Sequence, residues 1–133
     1  ACNNKETNRY ESDSIISERA IREIYIKGFE ICVRESNPWM IMTSYNLING
    51  VRASENTELI EGILRDEWGY KGMITSDWEN HAEHWKEIKA GNDIKMPYGQ
   101  PEKVKEALND GKITREELAE CVNRLLNMII KLQ

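Results

Sequence analysis

The stretch Gly72-Met73-Ile74-Thr75-Ser76-Asp77-Trp78 decides how this sequence folds. Its centre, Met73-Ile74-Thr75, is apolar and partly β-branched, and it lies between a glycine and a polar turn, which predicts a short buried strand. In parallel α/β barrels, chemistry takes place at the carboxyl ends of the strands. Asp77 and Trp78 directly follow this strand, so we expect both side chains at that edge of the sheet.

The pair of Asp77 and Trp78 has two interpretations. A carboxylate beside an aromatic face suits carbohydrate chemistry, because the acid can attack or stabilise an anomeric carbon while the indole packs against the apolar face of a pyranose. Alternatively, Asp77 caps the turn or helix that follows, as aspartate commonly does. Taken alone, the four residues Thr75 to Trp78 favour the cap.

Further motifs stand on both sides of this stretch. They are Met42-Thr43-Ser44-Tyr45-Asn46-Leu47-Ile48-Asn49-Gly50, Ile63-Leu64-Arg65-Asp66-Glu67-Trp68-Gly69-Tyr70-Lys71-Gly72 and Lys89-Ala90-Gly91-Asn92-Asp93-Ile94-Lys95-Met96-Pro97. In this order and spacing, together with Ser76-Asp77-Trp78, they closely resemble glycoside hydrolase family 3, the β-glucosidases and their relatives. The resemblance covers essentially the whole chain. It implies that Asp77 is the nucleophile of a retaining β-glycosidase that acts on β-glucosides or β-xylosides without a cofactor.

The resemblance also implies roles for three other residues. Trp78 would form a wall of the sugar subsite, Tyr45 would hydrogen-bond near the nucleophile or the ring oxygen, and Met42 would line the same pocket. Trp78 has the alternative role of filling the barrel mouth, and Met42 that of an ordinary core residue. The family's proton donor, usually a glutamate on a loop of a separate α/β domain, has no counterpart that we can place in this sequence.

Apolar runs alternate with amphipathic segments along the chain, which predicts an α/β fold with parallel strands. Strands are predicted near 39–44, 72–76 and 93–95, and helices near 17–35, 57–68, 101–109 and 115–131. The resemblance places these units in the closing part of a TIM-type (β/α)8 barrel. Such a barrel has about 250 residues, so residues 1–133 are expected to be a fragment of a single glycoside hydrolase barrel domain.

The same patterns predict burial and local geometry. The run 39–44 is almost continuously apolar, which predicts a strand buried on both faces. Asn37 precedes Pro38, which favours an extended backbone. The helix faces expected to point inward contain Ile21, Ile24, Tyr25, Phe29, Cys32 and Val33 in the first helix and Leu118, Val122, Leu125, Leu126, Ile129 and Ile130 in the last.

Composition excludes some partners. The net charge of −5 and the pI of about 5.2 argue against binding to nucleic acid or to anionic membranes. No apolar run approaches the roughly 18 residues that a membrane span needs. The cysteines Cys2, Cys32 and Cys121 are odd in number and lack metal-ligand spacing. They favour a reducing interior, with a cytoplasmic location preferred, or an anaerobic source over a disulfide framework. Cys32 and Cys121 are expected as small buried side chains.

Other charged residues have plausible but less specific roles. His81 and His84 lack a third ligand at suitable spacing, so loop histidines are favoured over a metal site. Asp93 is expected to be structural rather than a second catalytic carboxylate. Arg65, Asp66 and Glu67 are expected to form an ion-paired helix end rather than an acidic catalytic cluster.

The first hypothesis is therefore an enzyme part that is catalytically incomplete by itself. In the family, a Lys-His pair that binds sugar hydroxyls precedes the stretch matched by Ala1 to Arg9, and this pair is absent here. The remainder of the parent polypeptide would be its partner. The alternative is a non-catalytic sugar-binding or structural fragment. Open edges of a three-stranded sheet would also allow self-association.

Overall fold

The computed structural model describes residues 1–133 and is an α/β structure in which short strands alternate with helices. The strands are β1 (Asp13–Ser14), β2 (Met40–Met42), β3 (Leu47–Ile48), β4 (Val51–Arg52) and β5 (Met73–Thr75). The helices are α1 (Glu18–Ala20), α2 (Lys27–Ser36), α3 (His84–Lys89), α4 (Pro101–Asn109) and α5 (Arg115–Lys131). Two π-wound segments (Ile21–Tyr25 and Glu58–Glu67) and one 3₁₀ turn (Ala53–Glu55) complete the chain.

The three predicted strand runs lie side by side and parallel. β2 pairs with β5 in a register that places Met40 opposite Met73 and Met42 opposite Thr75. On the other side of β5, Ile94 forms an isolated parallel bridge to Thr75. This arrangement confirms the predicted parallel pairing. The carboxyl ends of all three runs therefore meet at one edge of the sheet, which is the edge that Asp77 follows.

A second sheet was not predicted. β1 pairs with β3 in parallel, and β3 pairs with β4 in antiparallel orientation. The turn-forming residues of Asn46-Leu47-Ile48-Asn49-Gly50 predict only a turn-rich connection, and the structure forms a hairpin there. Asn49 (φ 50°) and Gly50 (φ 84°) both adopt positive φ, as a two-residue hairpin turn requires. The Asn-Gly dipeptide was the available signal for this hairpin.

The core that supports the site surrounds β5. Ile74 is fully buried with Val33, Ile60, Tyr70 and Ala90. Gly72 is required at the entry to this strand, because a Cβ there would lie 2.7 Å from the Trp39 carbonyl oxygen. The buried strand predicted from Met73-Ile74-Thr75 is confirmed, since all of its residues are buried.

The expectation for β2 is wrong. Its outer residues Met40 and Met42 are 52% and 57% exposed, and only Ile41 packs against the core. β2 is an edge strand that pairs with β5 alone, so neither its outer edge nor the face of Met40 and Met42 is covered. Burial on both faces requires neighbouring elements that these 133 residues do not supply.

Several expected inward helix positions are also exposed. The exposed residues are Ile24, Phe29 and Cys32 near the first helix and Val122, Leu126, Ile129 and Ile130 in α5. Within the predicted inward face of the first helix, only Val33 is buried. Cys121 is the only buried residue of α5. The spacing of apolar residues identifies a helix face correctly, but burial depends on what packs against it.

Helix ends agree with most sequence signals. Ser17 is predicted to cap the first helix, and its hydroxyl accepts a hydrogen bond from Ala20 N. The sequence Thr114-Arg115-Glu116-Glu117 predicts a capping box, which Thr114 and Glu117 form. Asn37 is not extended but left-handed (φ 45°, ψ 60°). There its amide donates to the Val33 carbonyl oxygen (3.2 Å) and closes the end of α2, so helix capping outweighs the influence of the following proline. No helix has the length and hydrophobicity needed to cross a bilayer.

Candidate active site

Asp77 lies at the carboxyl edge of β5 in a turn held from both sides. Its Oδ1 accepts a hydrogen bond from Trp78 N (2.6 Å), so the carboxylate does shape the local turn. Before it, the Ser76 hydroxyl donates to the Asp77 carbonyl oxygen (2.9 Å) and accepts from Met96 N (2.8 Å). The Asp77 side chain is neither fully buried nor paired with a cation, and this leaves it accessible to a ligand.

Tyr45 is the residue that the structure brings to Asp77 from another strand end. It is 7% exposed, and its hydroxyl donates to the Trp78 carbonyl oxygen at 2.6 Å. Burial, and secondly the neighbouring Asp77 carboxylate, raise the pKa of Tyr45 to about 12. The hydroxyl therefore remains a hydrogen-bond donor throughout the neutral range.

Trp78 and Met42 both present exposed apolar surface. Trp78 is 55% exposed, which leaves much of its indole accessible beside Asp77. Met42 is 57% exposed and lies opposite Thr75, on the strand next to the one that leads to Asp77. Neither residue is a buried core side chain in this structure.

Arg9, Tyr10 and His81 form a group of side chains beside Tyr45 that the sequence did not predict. The Arg9 guanidinium lies 4.8 Å from the Tyr45 ring centroid and 5.3 Å from that of Tyr10. Tyr10 in turn packs against Tyr45 at 4.6 Å and stacks on His81 at 4.6 Å. The composition of the first dozen residues predicts a polar loop only. The available signal was Arg9 itself, which ends the family-like stretch Ala-x-Asn-x-x-Glu-x-x-Arg.

The two histidines have separate environments. His81 is exposed in a loop, as expected, and its Nδ1 lies 2.9 Å from Glu11 Oε1. His84 is not in a loop, because it opens α3, where burial lowers its pKa and its Nδ1 accepts from Gln100 N at 3.0 Å. Hydrogen bonds of this kind account for both rings, and the structure contains no cluster of three or more potential metal-ligating His, Cys, Asp or Glu side chains.

Asp93 has the structural surroundings that were expected of it. Its side chain is fully buried, its Oδ2 accepts from Ile74 N (2.7 Å), and its two oxygens contact Arg65 (3.2 Å) and Arg124 (2.6 Å). Glu67 also forms an ion pair, in which its Oε2 lies 2.7 Å from Arg22 Nη1. Burial lowers the pKa of Arg65. These pairs confirm the expected ion-paired helix end for Arg65 and Glu67, whereas Asp66 is exposed and forms no ion pair.

Comparison with known proteins agrees with this geometry. The model of the family described as "Glycosyl hydrolase family 3 N terminal domain" matches residues 5–128. Beta-glucosidase A of Butyrivibrio fibrisolvens is 53% identical over 118 residues, which cover 89% of this chain and 14% of that protein. An exo-alpha-(1->6)-L-arabinopyranosidase of Bifidobacterium breve is 39% identical over 98% of this chain and 17% of its own length.

Solved structures agree as well. Beta-glucosidase 3B from Thermotoga neapolitana in complex with alpha-D-glucose superposes with a TM-score of 0.92 and 43% identity, over 96% of this chain and 19% of that one. The chain thus spans less than a fifth of the length of these relatives. Because the family model matches nearly its whole length, the chain belongs to glycoside hydrolase family 3.

Proposed function

We propose that this chain is the part of a retaining β-glucosidase that contributes the nucleophile, Asp77. The observation that supports this most is a carboxylate without an ion-pair partner at the carboxyl edge of the central strand run, close enough to the buried Tyr45 to raise its pKa and next in sequence to the exposed Trp78. If Asp77 only capped the turn that follows it, neither the Tyr45 hydroxyl nor the Trp78 indole would be needed beside it. The beta-glucosidase relatives give the chemical class.

The proposed reaction has two steps, as in other retaining glycosidases. An Asp77 oxygen attacks the anomeric carbon, the bond to the leaving oxygen breaks, and an acid protonates that oxygen. Water then attacks the glycosyl ester, gives its proton to the same acid group and releases Asp77. The fully buried carboxylates Glu87 and Asp93 are engaged in ion pairs, so we assign the acid to the remainder of the parent polypeptide.

The sheet supports the barrel interpretation. β2 and β5 form only a two-stranded parallel sheet extended by the Ile94 bridge, with the outer edge of β2 uncovered. We infer that residues 1–133 are the closing units of a (β/α)8 barrel and that earlier strands of the same polypeptide cover this edge. Self-association through the edge is the alternative use of the same surface.

β-Glucosides are the proposed substrates, and β-xylosides are the second candidate. The second candidate is supported by the arabinopyranosidase relative. An arabinopyranoside and a xylopyranoside both lack the hydroxymethyl group of a glucoside. A non-catalytic sugar-binding or structural role is the competing class. Relative kcat/KM for aryl β-glucoside and aryl β-xyloside, measured on the full-length enzyme, separates the two substrates.

Covalent labelling tests the proposal. A 2-deoxy-2-fluoro-β-glucosyl reagent with a good leaving group forms a long-lived ester with the nucleophile, because the fluorine slows both steps. We expect peptide mapping of the labelled full-length enzyme to find one glucosyl ester, on Asp77. A label on another carboxylate would refute the assignment, and binding without any label would favour the non-catalytic class.

The isolated 133-residue chain is expected to be inactive. It lacks a matched proton donor and the family's Lys-His pair, and general acid assistance alone typically contributes about 10²–10⁴-fold to a rate. The measurement is hydrolysis of an aryl β-glucoside by the purified chain. Robust turnover that Asp77→Ala abolishes would show that a donor lies within these residues.

Tyr45→Phe is expected to have a moderate effect in the full-length enzyme. The substitution removes the hydroxyl that donates to the Trp78 carbonyl oxygen and leaves this oxygen without that partner. A loss of about 1–3 kcal/mol corresponds to a roughly 5- to 150-fold lower kcat/KM. Tyr98→Phe is the matched control, because Tyr98 is 78% exposed. An unchanged kcat/KM for Tyr45→Phe would remove Tyr45 from the site.

A further inference from the structure

A buried ion pair lies under the loop that follows Asp77. The side chains of Lys95 and Glu87 are 5% and 0% exposed, and Lys95 Nζ lies 3.1 Å from Glu87 Oε2. Asn80, buried within the loop, contacts both: its Oδ1 accepts from Lys95 Nζ, and its Nδ2 donates to Glu87 Oε1 at 2.5 Å. We call Asn80, Glu87 and Lys95 the Lys95 cluster.

The Lys95 cluster is internally satisfied. Lys95 Nζ has a third acceptor in the Ala82 carbonyl oxygen, at 2.9 Å, so each of its three hydrogens has a partner. The Asn80 amide also reaches the Ser54 hydroxyl, at 3.3 Å. The residues of this network belong to the 3₁₀ turn Ala53–Glu55, to the loop 77–83, to α3 and to the segment after the Ile94 bridge. A fully bonded network away from water favours a single arrangement of the elements that it joins.

Stability alone is a weak explanation for this network. Burial raises the pKa of Glu87 and outweighs the opposing effects of Asn80 and Lys95, because removal from water disfavours the charged form of a carboxyl group. Replacing a buried ion pair by apolar groups of similar volume is often neutral or stabilising. A role in fixing the conformation of the loop therefore explains the network better than a contribution to stability does.

The loop is anchored on both sides of Asp77 and Trp78. On the first side, the Ser76 hydroxyl accepts from Met96 N at 2.8 Å, and on the second, Glu79 N donates to the Met96 carbonyl oxygen at 3.1 Å. Met96 directly follows Lys95, and Asn80 directly follows Glu79. A change in the Lys95 cluster therefore acts on both anchors of the two residues that would contact the sugar.

We propose that Lys95, Glu87 and Asn80 are positioning residues that hold Asp77 and Trp78 in the geometry for attack on the anomeric carbon. This inference rests on the proposed function of Asp77. A displacement of about 1 Å at a reacting group can cost about 10²-fold in rate. Loosening the loop should therefore slow the formation of the glycosyl ester more than it weakens sugar binding.

The test is the rate at which the full-length enzyme reacts with the 2-deoxy-2-fluoro-β-glucosyl reagent. Asn80→Ala removes the hydrogen bonds that the Asn80 side chain makes to Lys95 and Glu87 and leaves the contact between Lys95 and Glu87 in place. We expect the labelling rate at saturating reagent to fall about 10- to 100-fold, while the reagent concentration for half-maximal rate changes much less. Equal labelling rates in Asn80→Ala and the unaltered enzyme would overturn the inference.

Arg124→Met is the control for a purely structural effect. It breaks one of the two ion pairs of the buried Asp93, in which Arg124 Nε lies 2.6 Å from Asp93 Oδ1, and Arg124 has no hydrogen bond or ion pair with the loop 77–83. We expect a lower melting temperature with an unchanged labelling rate. Equal slowing in Arg124→Met and Asn80→Ala would show that general loosening of the fold, and not positioning, controls the rate.

Two further outcomes keep the inference separate from the proposed function. If the unaltered enzyme carries no label on Asp77, the proposed function fails and the inference fails with it. If Asn80→Ala does not fold, Asn80→Ser replaces it, because this shorter side chain adds no charge beside Glu87 and cannot bridge Lys95 and Glu87 as the Asn80 amide does. Its labelling rate is also expected to fall about 10-fold or more, and an unchanged rate would overturn the positioning role.

Discussion

Asp77→Asn in the full-length enzyme is expected to lower kcat by about four orders of magnitude or more, the scale on which loss of a nucleophile acts in other enzymes. The melting temperature should stay unchanged, because the asparagine carbonyl oxygen can still accept from Trp78 N, as Asp77 Oδ1 does at 2.6 Å. The substitution thus removes the attacking charge and keeps the turn. The measurements are kcat for an aryl β-glucoside and a thermal melt of the same preparation.

Asp66→Asn is the matched control for this experiment. Asp66 is exposed near the end of the Glu58–Glu67 helix, and the exchange removes the same charge. We expect normal kcat from it. A near-normal kcat together with a lowered melting temperature in Asp77→Asn would instead make Asp77 a structural cap, which is the alternative that its contact with Trp78 N leaves open.

Asp93→Ala is expected to have the largest effect on stability. It would leave the guanidinium groups of Arg65 and Arg124 without their shared carboxylate and would remove the acceptor of Ile74 N. Breaking a buried ion pair by removing one partner costs about 3–5 kcal/mol. In a full barrel of about 250 residues, where 1 kcal/mol corresponds to roughly 2–4 °C, the melting temperature should fall by about 6–20 °C.

Asp110→Ala serves as the control for Asp93→Ala. Asp110 and Lys112 form an ion pair at 3.0 Å whose side chains are 47% and 49% exposed. Exposed pairs of this kind contribute little, so we expect no measurable change in the melting temperature. If Asp93→Ala melted at the same temperature as Asp110→Ala, the buried network around β5 would not be a main support of the sheet.

The parallel strands were predictable because short apolar runs between turn residues have a specific physical meaning. Met73-Ile74-Thr75 is buried as expected, and the order and spacing of the motifs were enough to indicate the family to which the chain belongs. Met40 and Met42 show the limit of this reasoning. An apolar run indicates that the side chains of a strand are buried in the complete fold, but it does not indicate which element packs against them.

Within the site, local contacts were easier to predict than distant ones. Asp77 and Trp78 are adjacent in sequence, and the motif around Tyr45 indicated that it belongs near them. The contacts of the Tyr10 ring with Tyr45 and His81 join residues that are far apart in the sequence. No periodicity or spacing in a polar loop indicates such a contact. The Lys95 cluster was missed for the same reason, because a lysine after a strand normally indicates an exposed charge.

Azide rescue of Asp77→Gly is the measurement that tests the nucleophile assignment most directly. Glycine vacates the position of the carboxylate, so azide can approach the anomeric carbon from the same face and displace a good leaving group. We predict that turnover of an aryl β-glucoside by the full-length variant rises with azide concentration and that NMR identifies the product as the α-glucosyl azide. A β-glucosyl azide, or near-normal turnover without azide, would contradict the assignment of Asp77 as the nucleophile.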